Sequence, residues 1–250
     1  MLSENVNNKL RFFIKSFVLV VLLFLGFYTY TISSNIVTYF NNHMLQDDKY
    51  CLKDLWRDLI GHLDIRKNKI FYAIINFIPW ILVFITSIAI INQLRIKKES
   101  YLVHIILGEN ILIILNGIAQ IITILPDSNL VRDVCNSNKY KNLGFWIFTR
   151  ISADNCGDMM WSGHTYHTIF MLIILYWILN EHEYFLKNFV IRIIFYLFSV
   201  FIVLLEMNGL VSLGIHYSVD VYISLIITPL FLSHNKYHEL VDKTKEWINK

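Results

Sequence analysis

Six apolar runs, each close to the length needed to cross a lipid bilayer, constrain this chain more than any other feature. A helix takes about 20 residues to span a hydrocarbon core roughly 30 Å thick. The runs fall at approximately 12–32, 71–92, 101–125, 165–180, 190–206 and 218–234, and short charged clusters separate them. β-Branched residues are common within them, but the runs far exceed strand length, and open sheet edges do not survive in lipid. The expectation is an all-α integral membrane bundle of six transmembrane helices, one polytopic domain over 1–250. Composition agrees, since 56% of the 250 residues are hydrophobic and 16% charged, which is too apolar for a soluble domain of this size. The net charge of +3 is spread over short clusters, which argues against nucleic acid as a partner.

Positive residues near the helix ends set the orientation. Lys9 and Arg11, then Arg95, Lys97 and Lys98, then Lys187 and Arg192, and finally Lys236, Lys243, Lys245 and Lys250 fall on one side. Both termini are therefore expected in the cytosol. The first run is longer than a signal-peptide core and lacks a small-residue cleavage site, so it reads as a retained helix. The opposite, lumenal or extracellular side takes the connections 33–70, 126–164 and 207–217. Within the lumenal loop 34–69, Leu52, Leu55, Trp56, Leu59 and Leu63 stand at helical spacing and predict an interfacial amphipathic helix over 46–69. The three cysteines, Cys51, Cys135 and Cys156, all lie on this oxidising side. Cys135 and Cys156 share one loop, so a disulfide between them is expected, with Cys51 left over; three unpaired thiols are the alternative.

Two outer-side sequences carry the candidate chemistry, Cys156-Gly157-Asp158-Met159-Met160-Trp161-Ser162-Gly163-His164-Thr165 and Gly214-Ile215-His216-Tyr217-Ser218-Val219-Asp220. His216 and Asp220 are four apart where the sixth run begins, so on a helix they share a face and the carboxylate can orient the imidazole. That makes His216 a candidate nucleophile. His164 opens the fourth run at the same membrane face, where Ser162 and Gly163 leave backbone N–H groups for an anion. It is the candidate general acid and then base. The plainer alternative is that an interfacial histidine is a bystander and Asp220 a helix cap. Ionisable groups at matching depth in a membrane are costly without a purpose, which favours function. Glu109 and Asn110, inside the third run, are expected to face the bundle interior or a polar cavity. His167 either lines the site or packs. His43, His62, His104, His182, His234 and His238 show no comparable partners.

CGDMMWSGHT followed about fifty residues later by HYSVDV resembles the sphingomyelin synthase family within the PAP2-like lipid phosphotransferases. That family carries a CGD-x3-SGHT and an HYT-x-DV motif. The likeness covers about Ile111 to Leu232, including the ITILPD segment ending at Asp127 and the cysteines Cys135 and Cys156. It implies six transmembrane helices, cytosolic termini, a lumenal or extracellular site, and a Golgi or plasma-membrane location, with oligomeric state left open. It also implies that His216, aided by Asp220, attacks the phosphorus of a phospholipid such as phosphatidylcholine while His164 protonates the departing diacylglycerol. A ceramide hydroxyl, deprotonated by His164, then takes the headgroup, and no metal or cofactor enters. Asp158, Ser162, Gly163 and Tyr217, together with Glu109 and Arg150, are the candidate substrate-binding residues. The chain departs from the family at Leu115-Asn116-Gly117-Ile118, where an Arg is usual, and it lacks a PLPD signature between the first two helices. Arg132 or Arg150 is the candidate replacement cation, and choline, ethanolamine and inositol headgroups all stay open.

Three other readings compete. A lipid phosphate phosphatase would use the same His, His and Asp logic with water as acceptor. Its arginine clamps are missing here, since none of Pro79, Pro126 and Pro229 follows an arginine and Gly209-Leu210 occupies the Ser-Arg place. A phosphate monoester carries more charge than a diester and needs such clamps more. A phospholipase C-like hydrolase would replace ceramide by water. A transporter or scaffold would not need the spacing of the two motifs, and no broken helix pair points to one.

Overall fold

The computed structural model describes residues 2–44, 54–96, 101–125, 158–159, 161–181 and 188–249. Its elements are α1 (Leu2–Met44), α2 (Leu55–Ile60), α3 (Lys69–Ile96), α4 (Leu102–Ile122), β1 (Ile124–Leu125), β2 (Asp158–Met159), α5 (Gly163–Glu181), α6 (Phe189–Ser212), α7 (Ser218–Ser233) and α8 (Asn235–Asn249). The expected pairing of Cys135 with Cys156, the spare Cys51, and Arg132 and Arg150 lie outside the described residues, as does the Asp158 side chain.

Among the described residues, four helices are long and apolar enough to cross a membrane, over Phe13–Val37, Lys69–Asn92, Leu102–Ile122 and Phe189–Ser212. Phe17 and Phe24 on α1, Phe77, Trp80 and Phe84 on α3, and Leu197 and Phe201 on α6 all point outward and exposed. So much outward apolar surface suits lipid as solvent and not water. α7 is a shorter apolar helix of 16 residues. α5 occupies the middle of the bundle, packed against α3, α4, α6 and α7, and Phe170, Ile174 and Ile178 along it are wholly buried. α1 lies along α4. An apolar groove of about 440 Å³ between α5, α6 and α7 is lined by Ile169, Leu172, Tyr176, Phe195, Val203 and Leu225.

Two boundaries differ from the sequence reading. The loop expected from residue 34 starts later, because α1 continues to Met44. Ser33, Ser34 and Asn35, which read as the end of an apolar run, are buried. They pack on α4, where a Cβ at Gly117 would stand 2.9 Å from Ser33 Oγ and Ser34 Oγ lies 3.5 Å from Gln120 Oε1. The amphipathic helix expected over 46–69 is helical only over Leu55–Ile60 among the described residues. Asp54 caps its start and Gly61, at φ +90°, ends it. Leu55 and Leu59 stay exposed on its outer face, as an interfacial segment requires.

At the opposite end of the bundle, His104 and His238 sit in an aromatic cluster with Trp177 and Tyr237, ring centroids 5.4–6.1 Å apart. The Tyr237 hydroxyl donates to the His104 carbonyl at 2.9 Å. Burial first, and the Glu109 charge second, hold that phenol protonated well above the usual range. These histidines have packing partners that the sequence did not reveal.

Candidate active site

α6 stops where the second motif begins. Gly214 sits at φ +65°, where only glycine is free of steric cost. Its N–H donates to the Val211 carbonyl at 3.0 Å, and the Ile215 N–H reaches back to Leu210 at 2.9 Å. This Schellman closure turns the chain and aims His216 into the bundle. Tyr217 then caps α7, and its N–H donates to Asp220 Oδ2 at 3.0 Å. Asp220 is thus both the reciprocal cap of its helix and the neighbour of His216. The two alternatives weighed for it from sequence are not exclusive. Asp220 Oδ2 stands 3.7 Å from His216 Nδ1, both side chains being buried. That is an electrostatic contact somewhat too long for a hydrogen bond.

The first motif arrives from the other side. β1 and β2 pair antiparallel, Ile124 with Met159 and Leu125 with Asp158, tying the end of α4 to the chain entering α5. Trp161 follows, buried and at φ +140°, a strained conformation for a residue with a Cβ. The surroundings fix it, since the Asn116 amide donates to its carbonyl at 2.8 Å and Gln120 in turn donates to Asn116 at 2.5 Å. Ser162 caps α5, its hydroxyl oxygen accepting from the Thr165 N–H at 3.3 Å and from the Thr165 hydroxyl at 3.1 Å. Gly163 and His164 therefore form the first turn of a helix, the electropositive end.

Backbone contacts join the two motifs. The Ser162 N–H donates to the Asp220 carbonyl at 3.1 Å, and the Ser224 hydroxyl lies 3.0 Å from the Ser162 carbonyl and 2.9 Å from that of Asp220. As a result the His164 and His216 rings face each other at 6.2 Å between centroids, inclined by 66°. His164, His216, Asp220, Ser162, Gly163 and Tyr217 are one cluster. Glu109 is not in contact with that pair. It lies deeper, 3.0 Å from His167 Nδ1, and Thr168 beside it donates to Glu206 at 2.8 Å. Among the described residues, no group of three or more His, Cys, Asp or Glu side chains is arranged to hold a metal.

Sequence reasoning missed Asp54 and Arg57. Asp54 Oδ1 accepts from the Trp56 and Arg57 N–H groups at 3.1 and 3.2 Å, and Oδ2 accepts from the Ser218 N–H at 2.6 Å. One carboxylate thereby caps α2 and satisfies an open donor at the start of α7. Burial pushes this carboxyl up, but the Ser218 and Arg57 N–H groups and the Arg57 charge outweigh it and hold it below its ordinary value. Arg57 Nη2 donates to the His216 carbonyl at 3.1 Å and Nε to that of Val211 at 3.0 Å, with its guanidinium 5.4 Å from the centre of the Tyr217 ring. An Asp directly before Leu55 is a readable helix start. The reach of Arg57 across more than 150 residues left no local signal.

Two adjacent histidines, one backed by a carboxylate, beside a helix N-terminus in a membrane bundle make up the equipment of a phosphoryl-transfer site. Comparison with known families agrees at that level: residues 155–238 match the family described as PAP2 superfamily C-terminal. The match covers roughly a third of the chain and contains both motifs. It fits lipid phosphatase or phosphotransferase chemistry in general, on phosphate groups and at a membrane, and it does not single out sphingomyelin synthases. No curated protein and no solved structure matches the chain.

Proposed function

We propose that this protein is a sphingomyelin synthase-like transferase, moving a phospho-headgroup, phosphocholine first among the candidates, from a glycerophospholipid to ceramide with release of diacylglycerol. The observation that carries this is the pairing of His164 with His216 at 6.2 Å, Asp220 lying on the Nδ1 side of His216. With Nδ1 turned to the carboxylate, Nε2 is the nitrogen left to attack phosphorus. As the P–N bond forms, the bond from phosphorus to the diacylglycerol oxygen breaks, and His164 supplies the proton that oxygen needs. Negative charge on the phosphoryl oxygens would be met by the first-turn N–H groups of α5. The ceramide hydroxyl then displaces His216 from phosphorus. Arg57, bonded to the His216 carbonyl, is a cation beside this path.

In this reading α5 and α7 complete a six-helix topology with both termini in the cytosol. The site then opens to the lumen or exterior of a Golgi or plasma membrane. The test is expression in a host lacking the activity, with fluorescent ceramide and phosphatidylcholine, phosphatidylethanolamine or phosphatidylinositol as donors. A ceramide phospho-headgroup product that disappears in His216→Ala is expected, and the productive donor names the headgroup. Diacylglycerol release without such a product would replace the transferase by a hydrolase.

A further inference from the structure

The bundle contains a second histidine–carboxylate pair that the scheme above leaves unused. His167 Nδ1 stands 3.0 Å from Glu109 Oε1, closer than His216 Nδ1 to Asp220. The two come from different helices, α5 and α4, so chain geometry alone does not force them together. Glu109 is buried, with 5% of its side chain exposed, while the His167 ring keeps 22%. The carboxylate is hidden and the ring partly open, with Nδ1 on the carboxylate side and Nε2 the ring's other nitrogen. His167 is three residues beyond His164, so it lies on a neighbouring strip of the same helix face, about 4.5 Å deeper along the axis. The Tyr166 ring packs beside it at 6.2 Å. A buried ionisable pair in a membrane is costly, and apolar contacts already join α4 to α5.

We propose that His167, oriented by Glu109, is the base that activates the acceptor, and that the acceptor is therefore an alcohol embedded in the membrane and not water. This deepens the transferase reading and rests on it. His164 serves the first half-reaction, giving its proton to the departing diacylglycerol. In the second, the acceptor hydroxyl gives its proton to His167 Nε2 and its oxygen bonds to phosphorus. The P–N bond to His216 breaks, and its electron pair returns to Nε2. The imidazolium formed on His167 is stabilised by the Glu109 carboxylate. Passage of the proton to His164, one turn nearer the surface, restores the starting state. One turn of depth would place the proton acceptor where a lipid hydroxyl reaches and bulk water is scarce.

The experiment separates the half-reactions in full-length protein in phosphatidylcholine vesicles, by rapid mixing. Diacylglycerol is followed without ceramide, and ceramide is then added. In His167→Gln the diacylglycerol burst should persist within about threefold of wild type, while transfer to ceramide slows by about 100-fold or more. Glu109→Gln, which keeps shape and removes charge, should show the same pattern in milder form and guards against a folding defect in the first variant. Equal slowing of both half-reactions in folded protein would make the pair a structural tie and overturn the proposal, as would transfer within about threefold of wild type. Failure of the underlying transferase reading looks different, for then wild type itself forms no ceramide phospho-headgroup product, whether or not diacylglycerol is released.

Discussion

Replacing Asp54 tests how the segment between α1 and α3 controls the nucleophile. In Asp54→Ala the α2 cap disappears, which costs about 0.5–2 kcal/mol for helices in general. The 2.6 Å bond to the Ser218 N–H is charge-assisted, a class worth about 1.5–3 kcal/mol. Taken together, docking of α2 onto the turn at His216 should weaken by about 2–5 kcal/mol, a shift of roughly 30- to 5,000-fold in the docking equilibrium. Once α2 undocks, Arg57 no longer holds the His216 and Val211 carbonyls. Turnover should fall and become steeply temperature-dependent. Trp56, partly exposed and with its indole donating to Asn208 at 3.1 Å, should become more accessible to quencher than in wild type. Fluorescence quenching and headgroup transfer in nanodiscs read both effects. Wild-type quenching together with wild-type turnover would refute the reasoning. The pH dependence has a definite sign. The folded pKa of Asp54 is depressed from its ordinary 3.8, so the folded state binds fewer protons than the unfolded in acid. Its contribution is fully present above about pH 4 and is lost as pH falls through the lowered value. Wild-type docking should therefore hold at mildly acidic pH.

Other perturbations have equally definite outcomes. His164→Ala should lower turnover by about 10²–10⁴-fold, the usual range for a general acid or base, with Tm little changed because the ring is not buried in the core. Asn116→Ala removes the hold on the Trp161 carbonyl and leaves a buried acceptor unsatisfied, for about 1–3 kcal/mol; thermal unfolding and activity should drop together. Gly108→Ala would set a Cβ 2.5 Å from the Phe170 ring and should destabilise α4 against α5 by about 1–3 kcal/mol, read as a lower Tm in detergent.

Some of this was legible in the sequence, for physical reasons that differ by element. Apolar runs announce helices because lipid leaves the backbone no other option. The i, i+4 placement of His216 and Asp220 is set by helix geometry and needs no tertiary knowledge. The end of α1 was misread because Ser33, Ser34 and Asn35 look like a surface boundary, whereas α4 offers Gly117 and Gln120 to receive them. Glu109 and His167 were each noticeable as polar residues within apolar runs, but their pairing depends on how α4 meets α5. Arg57 was invisible because a surface-type loop ordinarily spends its arginines on solvent, and only the folded turn supplies the carbonyls it binds.

The central claim is that His216 carries the headgroup covalently between donor and acceptor. The most direct measurement is to mix full-length protein with phosphatidylcholine labelled in the phosphate, omit ceramide, and map the label on peptides under alkaline conditions that preserve phosphohistidine. Label on His216 that is absent in His216→Ala and discharged on adding ceramide is the predicted result. Product formed with no labelled protein, or label on another residue, would contradict it.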